Sequence, residues 1–309
     1  MLTALFSTRN RAALLRMVLE SFCCLESPAG GWKLVVVDNG STDETGRVLS
    51  SFKDRLPLQS VVEPELGKNI ALNTGLKLVE GDLTVLTDDD VFPSKDWLVQ
   101  LRNAADDHPA HSVFGGVVVP RWEVPPPNWT EWVDLSSTFA ITPPFAVEGE
   151  LTGYFIGLVF GPNMVVRTCV FNSGIRFNPS IGPRGASYAM GGETEFLLRL
   201  QHEGHKAWHV HAAVVEHFIR KEQLNKDWVL QRAIRFGRGS ERLRPSTQRL
   251  GGIPRNLLGE IPLEILRIMM ACATLNQENS FRARLRLNHL LGVAREGRMM
   301  ARERRTAQC

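Results

Sequence analysis

The chain has 309 residues, of which 43% are hydrophobic and 22% are charged. This composition is ordinary for a globular protein and suffices for one large or two modest domains with a real core. The formal net charge of +3 is too small to indicate nucleic-acid binding by the whole molecule. The cysteines are odd in number and lack C-x-x-C spacing, which favours free thiols in a reducing compartment over a disulfide framework or zinc site. They are Cys23, Cys24, Cys169, Cys272 and Cys309.

The first hundred residues alternate between strand-like and helix-like segments. Apolar runs at 2–7, 32–37, 58–62 and 83–87 predict four strands. A helical pattern follows each of these strands. The first ends near Cys24, the second begins after a capping-box sequence at 41–44, the third ends at Val79, and the fourth begins after a Ser94 cap. Strands that are apolar on both faces and alternate with helices predict an α/β fold. We expect a Rossmann-like, mostly parallel sheet with helices on both faces.

The rest of the chain is less regular. Residues 113–119 and 153–166 are strand-like, residues 177–192 form a Gly/Pro-rich loop, and helices are expected at 194–201 and 223–237. Two further helical segments are expected to form a C-terminal extension. The longest apolar stretch, 261–275, contains charged residues and is shorter than the ~20 apolar residues of a spanning helix. Met1 leads directly into a strand-like run, so no signal peptide is expected and we predict a cytoplasmic protein.

Three consecutive aspartates end the fourth predicted strand, and Asp38 ends the second. In a parallel sheet these strand ends lie on one edge, so the carboxylates are expected to face one crevice. Asp88 and Asp90 project to one side of an extended segment and Asp89 to the other. Two carboxylates on one side repel each other unless a cation or a polar ligand lies between them. A solvated Asp-rich turn is the alternative.

Several motifs occur in an order and spacing that resemble the GT-A glycosyltransferases of family 2. They are FSTRN at 6–10, VVVDNGSTD at 35–43, GKNIALN at 67–73, DDD at 88–90, GPNM at 161–164 and GGETEFLLRL at 191–200. The resemblance covers residues 1 to about 220. It implies a GT-A fold, a nucleotide-sugar donor, Mg²⁺ or Mn²⁺ as cofactor, and sugar transfer to an acceptor hydroxyl with inversion.

The same resemblance implies roles for individual residues. Asp90 would bind the metal and Asp88 the ribose side of the donor. The other candidates for the nucleotide-sugar pocket are Thr8, Asp38, Lys68 and Asp89. Asp89 also fits a structural role, and Lys68 also fits a surface cation. Residues 1–115 are then the nucleotide-sugar-binding half, 116–250 the acceptor-binding half with the catalytic base, and 251–309 a basic helical extension.

Glu193 is the candidate general base, since an inverting transfer needs a carboxylate that takes the proton of the attacking hydroxyl. The family pattern is Glu-Asp, with the aspartate as base, whereas this chain has Gly192-Glu193. Glu193 therefore takes the place of the aspartate with one extra methylene, and Glu195 is the alternative. Acidic residues in a first helical turn also occur simply because they stabilise the helix.

His217 is a second candidate metal ligand, because some members of the family use a histidine at a comparable place. Five of the eight histidines fall within residues 202–217. A zinc site there is not expected, because neither cysteine partners nor a tight H-x₃-H pair is present. We therefore do not expect His209 and His211 to bind metal.

Two features bear on the acceptor. Trp122, Trp129 and Trp132 could stack on a sugar, but we expect at least two of them to pack in the core. Residues 281–305 contain eight arginines and two glutamates, with Leu287, Leu290, Leu291 and Ala294 on one face. This basic amphipathic helix either rests on an anionic membrane, which would suit a lipid-linked acceptor, or docks on the catalytic domain.

The sequence thus predicts an inverting, hexosyltransferase-like enzyme that acts on a glycan, lipid-linked or small-molecule acceptor, without a nucleic-acid partner. One alternative is nucleotidyl transfer, which also uses an α/β fold and carboxylate-bound Mg²⁺. The segment Thr8-Arg9-Asn10 lacks the glycine of a phosphate loop, which counts against it. The other alternative is a binding subunit without catalysis, suggested by Glu193 in place of aspartate.

Overall fold

The computed structural model describes residues 1–185 and 188–306, and the side chains of residues 154–156 and 304–305 are not described. Cys309 lies outside the described residues. The other four cysteines are free thiols.

Eleven strands and ten α-helices are present in the described residues, together with short 3₁₀ helices. The strands are β1 (Leu2–Thr8), β2 (Trp32–Asp38), β3 (Leu58–Val62), β4 (Leu83–Leu86), β5 (Val91–Pro93), β6 (Val113–Trp122), β7 (Gly149–Leu151), β8 (Met164–Arg167), β9 (Ala207–Ile219), β10 (Arg249–Leu250) and β11 (Ile253–Pro254). The helices are α1 (Ala12–Phe22), α2 (Thr45–Ser51), α3 (Lys68–Gly75), α4 (Trp97–Asp107), α5 (Leu135–Phe139), α6 (Thr168–Asn172), α7 (Gly192–His202), α8 (Lys226–Leu243), α9 (Leu257–Ala273) and α10 (Gln277–Thr306).

The chain forms two compact units, each assembled from separate segments. The first unit comprises Met1–Arg121, Leu135–Pro179 and Gly192–Ile219, and it contains the large sheet. The second comprises Trp122–Asp134, Ser180–Gly191 and Arg220–Cys309, and it contains α8, α9, α10 and the β10–β11 ribbon. The three-part functional division of the sequence stays a prediction.

The sheet of the first unit has the strand order β3-β2-β1-β4-β8-β6-β9-β5, with β7 paired to β9. Strands β1 to β4 are mutually parallel, as expected from their alternation with helices. The pairs β4–β8, β6–β8, β5–β9 and β7–β9 are antiparallel. The predicted α/β class is confirmed, with the parallel pairs β1–β2, β2–β3 and β1–β4 in the part of the chain where strands and helices alternate regularly.

Helices cover both faces of this sheet. Alternation along β1 sends Leu5 and Phe6 to opposite faces. Leu5 packs in a cluster with Leu72 of α3 and Phe196 of α7. Phe6 contacts the ring of Phe22 of α1 at 6.1 Å between ring centroids. Helices thus cover both faces, and the polar residues that follow the parallel strands lie at the edge of the sheet where those strands end.

Three local expectations are wrong. Glu44 is the N-cap of α2 without a side-chain hydrogen bond, while Asp43 accepts the N–H groups of Thr45 and Ala12. Ser94 does not cap α4 by its side chain, because the cap position is Asp96. Residues 153–166 form two 3₁₀ turns before β8 begins at Met164 rather than one strand, as the Gly161-Pro162 sequence interrupts strand pairing.

In the second unit α10 crosses α8 closely. A Cβ on Gly237 would lie 2.0 Å from the carbonyl oxygen of His289, and one on Gly292 would lie 2.1 Å from that of Ile234. Larger residues at these two positions would therefore force the helices apart. At the same crossing, Glu296 is fully buried and accepts a hydrogen bond from Arg238 at 2.6 Å.

Two of the three tryptophans pack, as expected. Trp129 and Trp132 lie at 5.7 and 6.3 Å from the ring of Phe281, which is buried. Lys226 places its ammonium 4.6 Å from the centre of the Trp132 ring. Within the described part of the chain, no helix combines the length and the apolar character needed to cross a bilayer.

Candidate active site

The aspartate run lies between two short strands that hold it from both sides. The N–H of Thr87 donates to Leu5 O of β1, and the Thr87 hydroxyl donates to Pro162 O at 2.8 Å. Strand β5 begins at Val91, directly after the run, and pairs with β9 so that Val91 lies opposite His217. The Phe218 N–H donates to Asp90 O at 2.8 Å. Pairing of β5 with β9 therefore brings His217 next to Asp90.

Asp90 and His217 have the arrangement expected of a two-residue cation site. The Nε2 of His217 lies 3.6 Å from Asp90 Oδ1. The His217 Nδ1 lies 2.6 Å from the carbonyl oxygen of Phe139, an acceptor, so Nδ1 carries a proton. Nε2 is then the ring nitrogen that faces Asp90. A backbone carbonyl on the other ring nitrogen is the usual support of a metal-binding histidine.

Within the described residues, no group of three or more His, Cys, Asp or Glu side chains is placed to hold a metal ion. This does not conflict with a magnesium-type site. Hard cations in phosphate-binding enzymes commonly use one or two protein ligands and take the remaining oxygens from substrate phosphates and water. Asp90 and His217 therefore fit a divalent cation that is bound together with a diphosphate.

Arg11 is a site residue that the sequence reasoning missed. Its Nη1 lies 2.9 Å from Asp89 Oδ1 and 2.6 Å from Asp90 Oδ2. Burial raises the pKa of Asp89 to about 6 despite the opposing attraction of Arg11. Burial also raises the pKa of Asp90, but His217 and Arg11 outweigh it and hold that pKa below its ordinary value. The available signal was the position of Arg11, three residues beyond the end of β1.

Lys68 joins the aspartate run to Glu193. Its Nζ lies 2.6 Å from Asp88 Oδ1 and 3.0 Å from Glu193 Oε1. The Lys68 side chain is only 19% exposed, so it is not a solvated surface cation. Burial lowers the pKa of Lys68, but Asp88 and Glu193 outweigh it and raise that pKa above its ordinary value. The ammonium therefore stays charged and holds the two carboxylates around it.

The loop before Lys68 is fixed by Asn39. The Asn39 amide donates to Glu63 O at 2.9 Å and Glu65 O at 2.7 Å, and its side-chain oxygen accepts the Gly67 N–H at 2.8 Å. Gly67 has φ of 147°, a conformation that L side chains rarely adopt. Asn39 and Gly67 thus position the first residue of α3, which is Lys68.

Glu193 and Glu195 have different surroundings. Glu193 reaches Lys68, whereas Glu195 pairs with Arg199 on the same helix at 3.1 Å. Gly161 makes room for Glu193, since a Cβ at Gly161 would lie 2.9 Å from Glu193 Oε1. A Cβ at Gly192 would lie 2.7 Å from Asn69 Nδ2. A side chain at position 192 would therefore displace the Asn69 amide.

Thr8 and Asp38 lie on neighbouring strands of the same edge. They are opposite each other in the β1–β2 register, and both are buried. Asp38 accepts the Ser41 N–H at 2.9 Å, which closes the turn after β2. The Thr8 hydroxyl lies beside Asp89 and opposes the rise in its pKa. Among the described contacts, Asp38 takes no part in the ion pairs around Lys68 and Arg11.

Comparison with known proteins identifies the family of this chain. The model of the family described as "Glycosyl transferase family 2" matches residues 3–177, more than half of the chain. The chain belongs to glycosyl transferase family 2. Family membership confirms the resemblance in the motifs and favours glycosyl transfer over nucleotidyl transfer.

Curated relatives of this family 2 protein are glycosyltransferases of several kinds. Validoxylamine A glucosyltransferase of Streptomyces hygroscopicus subsp. jinggangensis is 32% identical over 118 residues, which cover 37% of this chain and 28% of that protein. Glucosyl-dolichyl phosphate glucuronosyltransferase of Haloferax volcanii is 23% identical over 213 residues, covering 65% of this chain and 64% of that protein. In both comparisons the match spans less than two thirds of the relative.

Solved structures share the fold over almost the whole chain. The mannosyltransferase PcManGT of Pyrobaculum calidifontis, solved with GDP-Man and Mn²⁺, has a TM-score of 0.62 at 19% identity, covering 96% of this chain and 86% of that one. S. aureus TarS 1-349 with UDP-GlcNAc has a TM-score of 0.57 at 13% identity, covering 96% and 91%. At these identities the likeness shows the GT-A fold.

Proposed function

We propose that this family 2 glycosyltransferase moves a sugar from a nucleoside-diphosphate donor to an acceptor hydroxyl, with inversion and with a divalent cation. The observation that carries the proposal is the chain of contacts from Asp88 through Lys68 to Glu193. It joins the carboxylates at the end of β4, where α/β sheets bind nucleotides, to an acid at the start of α7. Donor and acceptor groups thus meet at one site.

Glu193 is proposed as the general base. The acceptor oxygen attacks the anomeric carbon and forms the new glycosidic bond as the bond from that carbon to the diphosphate oxygen breaks. The acceptor proton passes to Glu193, and the electron pair of the broken bond leaves with the diphosphate. Attack opposite the leaving group inverts the anomeric centre. Glu193 is preferred over Glu195 because Glu193 reaches Lys68 beside the aspartate run, whereas Glu195 pairs with Arg199 on its own helix.

Asp90 and His217 are proposed to hold the cation, Mg²⁺ or Mn²⁺. When bound, the cation neutralises charge that develops on the departing diphosphate. Support comes from the His217 tautomer, directed at Asp90 by the carbonyl of Phe139. PcManGT, which has the same fold, was solved with GDP-Man and Mn²⁺.

The remaining edge residues are proposed to bind the nucleotide. Asp38 and Thr8 lie side by side at the ends of β2 and β1, where they can contact the base and the ribose. Asp88 is proposed on the ribose side, with Lys68 close to the diphosphate. Asp89 is proposed to act mainly by holding Arg11 in place, since it is buried and paired.

The acceptor is proposed to be a glycan, a lipid-linked sugar or a small molecule, and the location to be the cytoplasm. The names of the relatives span two of these classes, one being a validoxylamine A glucosyltransferase and another a glucosyl-dolichyl phosphate glucuronosyltransferase. A binding subunit without catalysis is disfavoured, because Glu193 lies in contact with the donor-side residues through Lys68.

Release of nucleoside diphosphate from a panel of UDP-, dTDP- and GDP-sugars tests the function. The full chain is incubated with each donor in Mn²⁺, in Mg²⁺ or in EDTA, and thermal unfolding is followed in parallel. We expect one donor to raise the unfolding temperature and to be hydrolysed slowly, in both cases only with a cation. Asp90→Asn should abolish both effects, whereas Asp54→Asn, an exposed aspartate, should not. Absence of stabilisation by every donor contradicts the proposal.

A further inference from the structure

The outward face of α9 is apolar and exposed. Four residues lie on one side of this helix because an α-helix repeats every 3.6 residues. This α9 apolar face consists of Leu258, Ile265, Leu266 and Met269, each between 45% and 62% exposed. Contiguous exposed apolar surface in a folded protein marks a docking site more often than a solvated face.

The charged side chains of α9 are turned away from this face. Glu260 pairs with Arg286 at 2.8 Å, and Glu264 is buried and pairs with Arg267 at 2.6 Å. These three charged positions, 260, 264 and 267, lie on the opposite side of the helix. The α9 apolar face therefore presents no charge of its own.

A basic groove adjoins the α9 apolar face. The groove has a volume of about 620 Å³ and is lined by apolar residues of α9 and α10, with Leu258 belonging to both surfaces. Three exposed arginines of α10, the arginine rim, line it as well: Arg295, Arg298 and Arg302. Over the described part of the chain these arginines form no ion pair. Their positive charge is thus available to an external partner.

The structure buries part of the apolar stripe of α10. Leu290 and Val293 are buried in a cluster with Leu257, and α10 is held against α8 at the Gly237 and Gly292 contacts. Of that stripe, Leu290 is buried and Ala294 packs against the same cluster, whereas Leu291 is 44% exposed and lines the basic groove. The outward side of α10 thus carries the arginine rim with Leu291 beside it, while most of the exposed apolar residues of the two helices belong to α9.

We propose that the α9 apolar face and the arginine rim together rest on an anionic phospholipid bilayer. The apolar residues enter the boundary between headgroups and acyl chains, while the guanidinium groups bind lipid phosphates. A second copy of the chain is a poorer occupant. A two-fold interface places the same patch on both subunits and would bring the two arginine rims together. The proposal does not depend on the chemistry at the active site.

Vesicle co-sedimentation of the full chain tests this surface. We expect binding to vesicles that contain phosphatidylglycerol but not to phosphatidylcholine alone, and weaker binding at high salt because surface charges are screened. Met269→Glu should reduce the bound fraction roughly ten-fold. Met17→Glu is the matched control, since Met17 is also an exposed helical methionine, and it should bind like the unchanged protein.

The arginine rim is tested with a second matched pair. Arg298→Gln combined with Arg302→Gln should reduce binding roughly ten-fold, whereas Arg16→Gln with Arg47→Gln, which removes the same charge from α1 and α2, should not. Equal binding to both kinds of vesicle, or equal losses in both members of a pair, would overturn the proposal. So would a dimer in light scattering that Met269→Glu dissociates, without vesicle binding. Donor hydrolysis of each variant, measured without vesicles, reports the transferase separately.

Discussion

Arg11 and Asp90 are hydrogen-bonded at 2.6 Å between Nη1 and Oδ2, while the other carboxylate oxygen of Asp90 faces His217. The same guanidinium nitrogen reaches Asp89 at 2.9 Å. One arginine thus compensates two buried acids beside the proposed cation position. Because Asp90 would otherwise be a buried charge with weak compensation, Arg11 makes the cation-free site stable.

Arg11→Ala is expected to lower the free energy of unfolding by roughly 2–3 kcal/mol without a cation, since it removes the shared arginine partner of two buried carboxylates. Mn²⁺ should restore more stability to this variant than to the unchanged protein, because the cation replaces the missing charge. Thermal unfolding with and without Mn²⁺ measures both effects, with Arg16→Ala as the control. An equal response to Mn²⁺ in both proteins would contradict this role.

The aspartates and Asp38 could be placed on one edge from the sequence, because parallel strands end at a common edge and each run ends in a carboxylate. The pairing of Lys68 with Glu193, which are 125 positions apart, could not. It depends on how α7 returns to the sheet, and no spacing encodes that. Arg11 was missed for a different reason: its partners come from another strand.

The antiparallel strand pairings could not be predicted from the sequence either. Strands and helices alternate regularly only from β1 to β4, so no sequence pattern predicts that β5 pairs with β9. That pairing is what brings His217 to Asp90. The resemblance to family 2 named His217 as a candidate, but only the β5–β9 register gives the physical reason for its place.

His217→Ala is expected to weaken Mn²⁺ binding about 10- to 100-fold, because it removes one of the two proposed protein ligands. His217→Gln should recover only part of this affinity, since an amide oxygen is a weaker ligand than a fixed imidazole. Isothermal titration of the donor complex with Mn²⁺ measures the change. His202→Ala, outside the site on α7, is the control. Unchanged Mn²⁺ affinity in His217→Ala would leave Asp90 as the sole protein ligand.

Glu193→Gln is expected to lower kcat for transfer by about 10²–10⁴-fold while donor affinity is retained, because the amide cannot accept the acceptor proton. Glu195→Gln is a matched control on the same helix and should lose little, since it breaks only an i,i+4 pair with Arg199. Single-turnover transfer and donor titration separate the two parameters. Equal losses in the two variants would remove the assignment of Glu193 as base.

Gly161→Ala is expected to lower kcat about ten-fold or more with little change in the KM for the donor. The added Cβ would meet the Glu193 carboxylate and displace it, and small misplacements of catalytic groups have large effects. Gly46→Ala is the control, because a Cβ there meets nothing within 4 Å. The same loss in a Gly161→Ala, Glu193→Gln double variant as in Glu193→Gln alone would support action through Glu193. Further losses that add independently would argue for a general packing defect.

His209 should make stability depend on pH. It is fully buried, and burial holds its pKa below the ordinary value, so the native state resists protonation. As pH falls through the unfolded-state value of about 6.5, the unfolded chain gains a proton that the native chain does not, and stability is lost by up to ~1.4 kcal/mol per pH unit. In denaturant unfolding between pH 8 and pH 5, His209→Gln should reduce this loss. His211→Gln, at the exposed neighbouring histidine, should keep the dependence of the unfolding free energy on pH that the unchanged protein shows. An identical dependence in all three proteins would rule out His209 as its source.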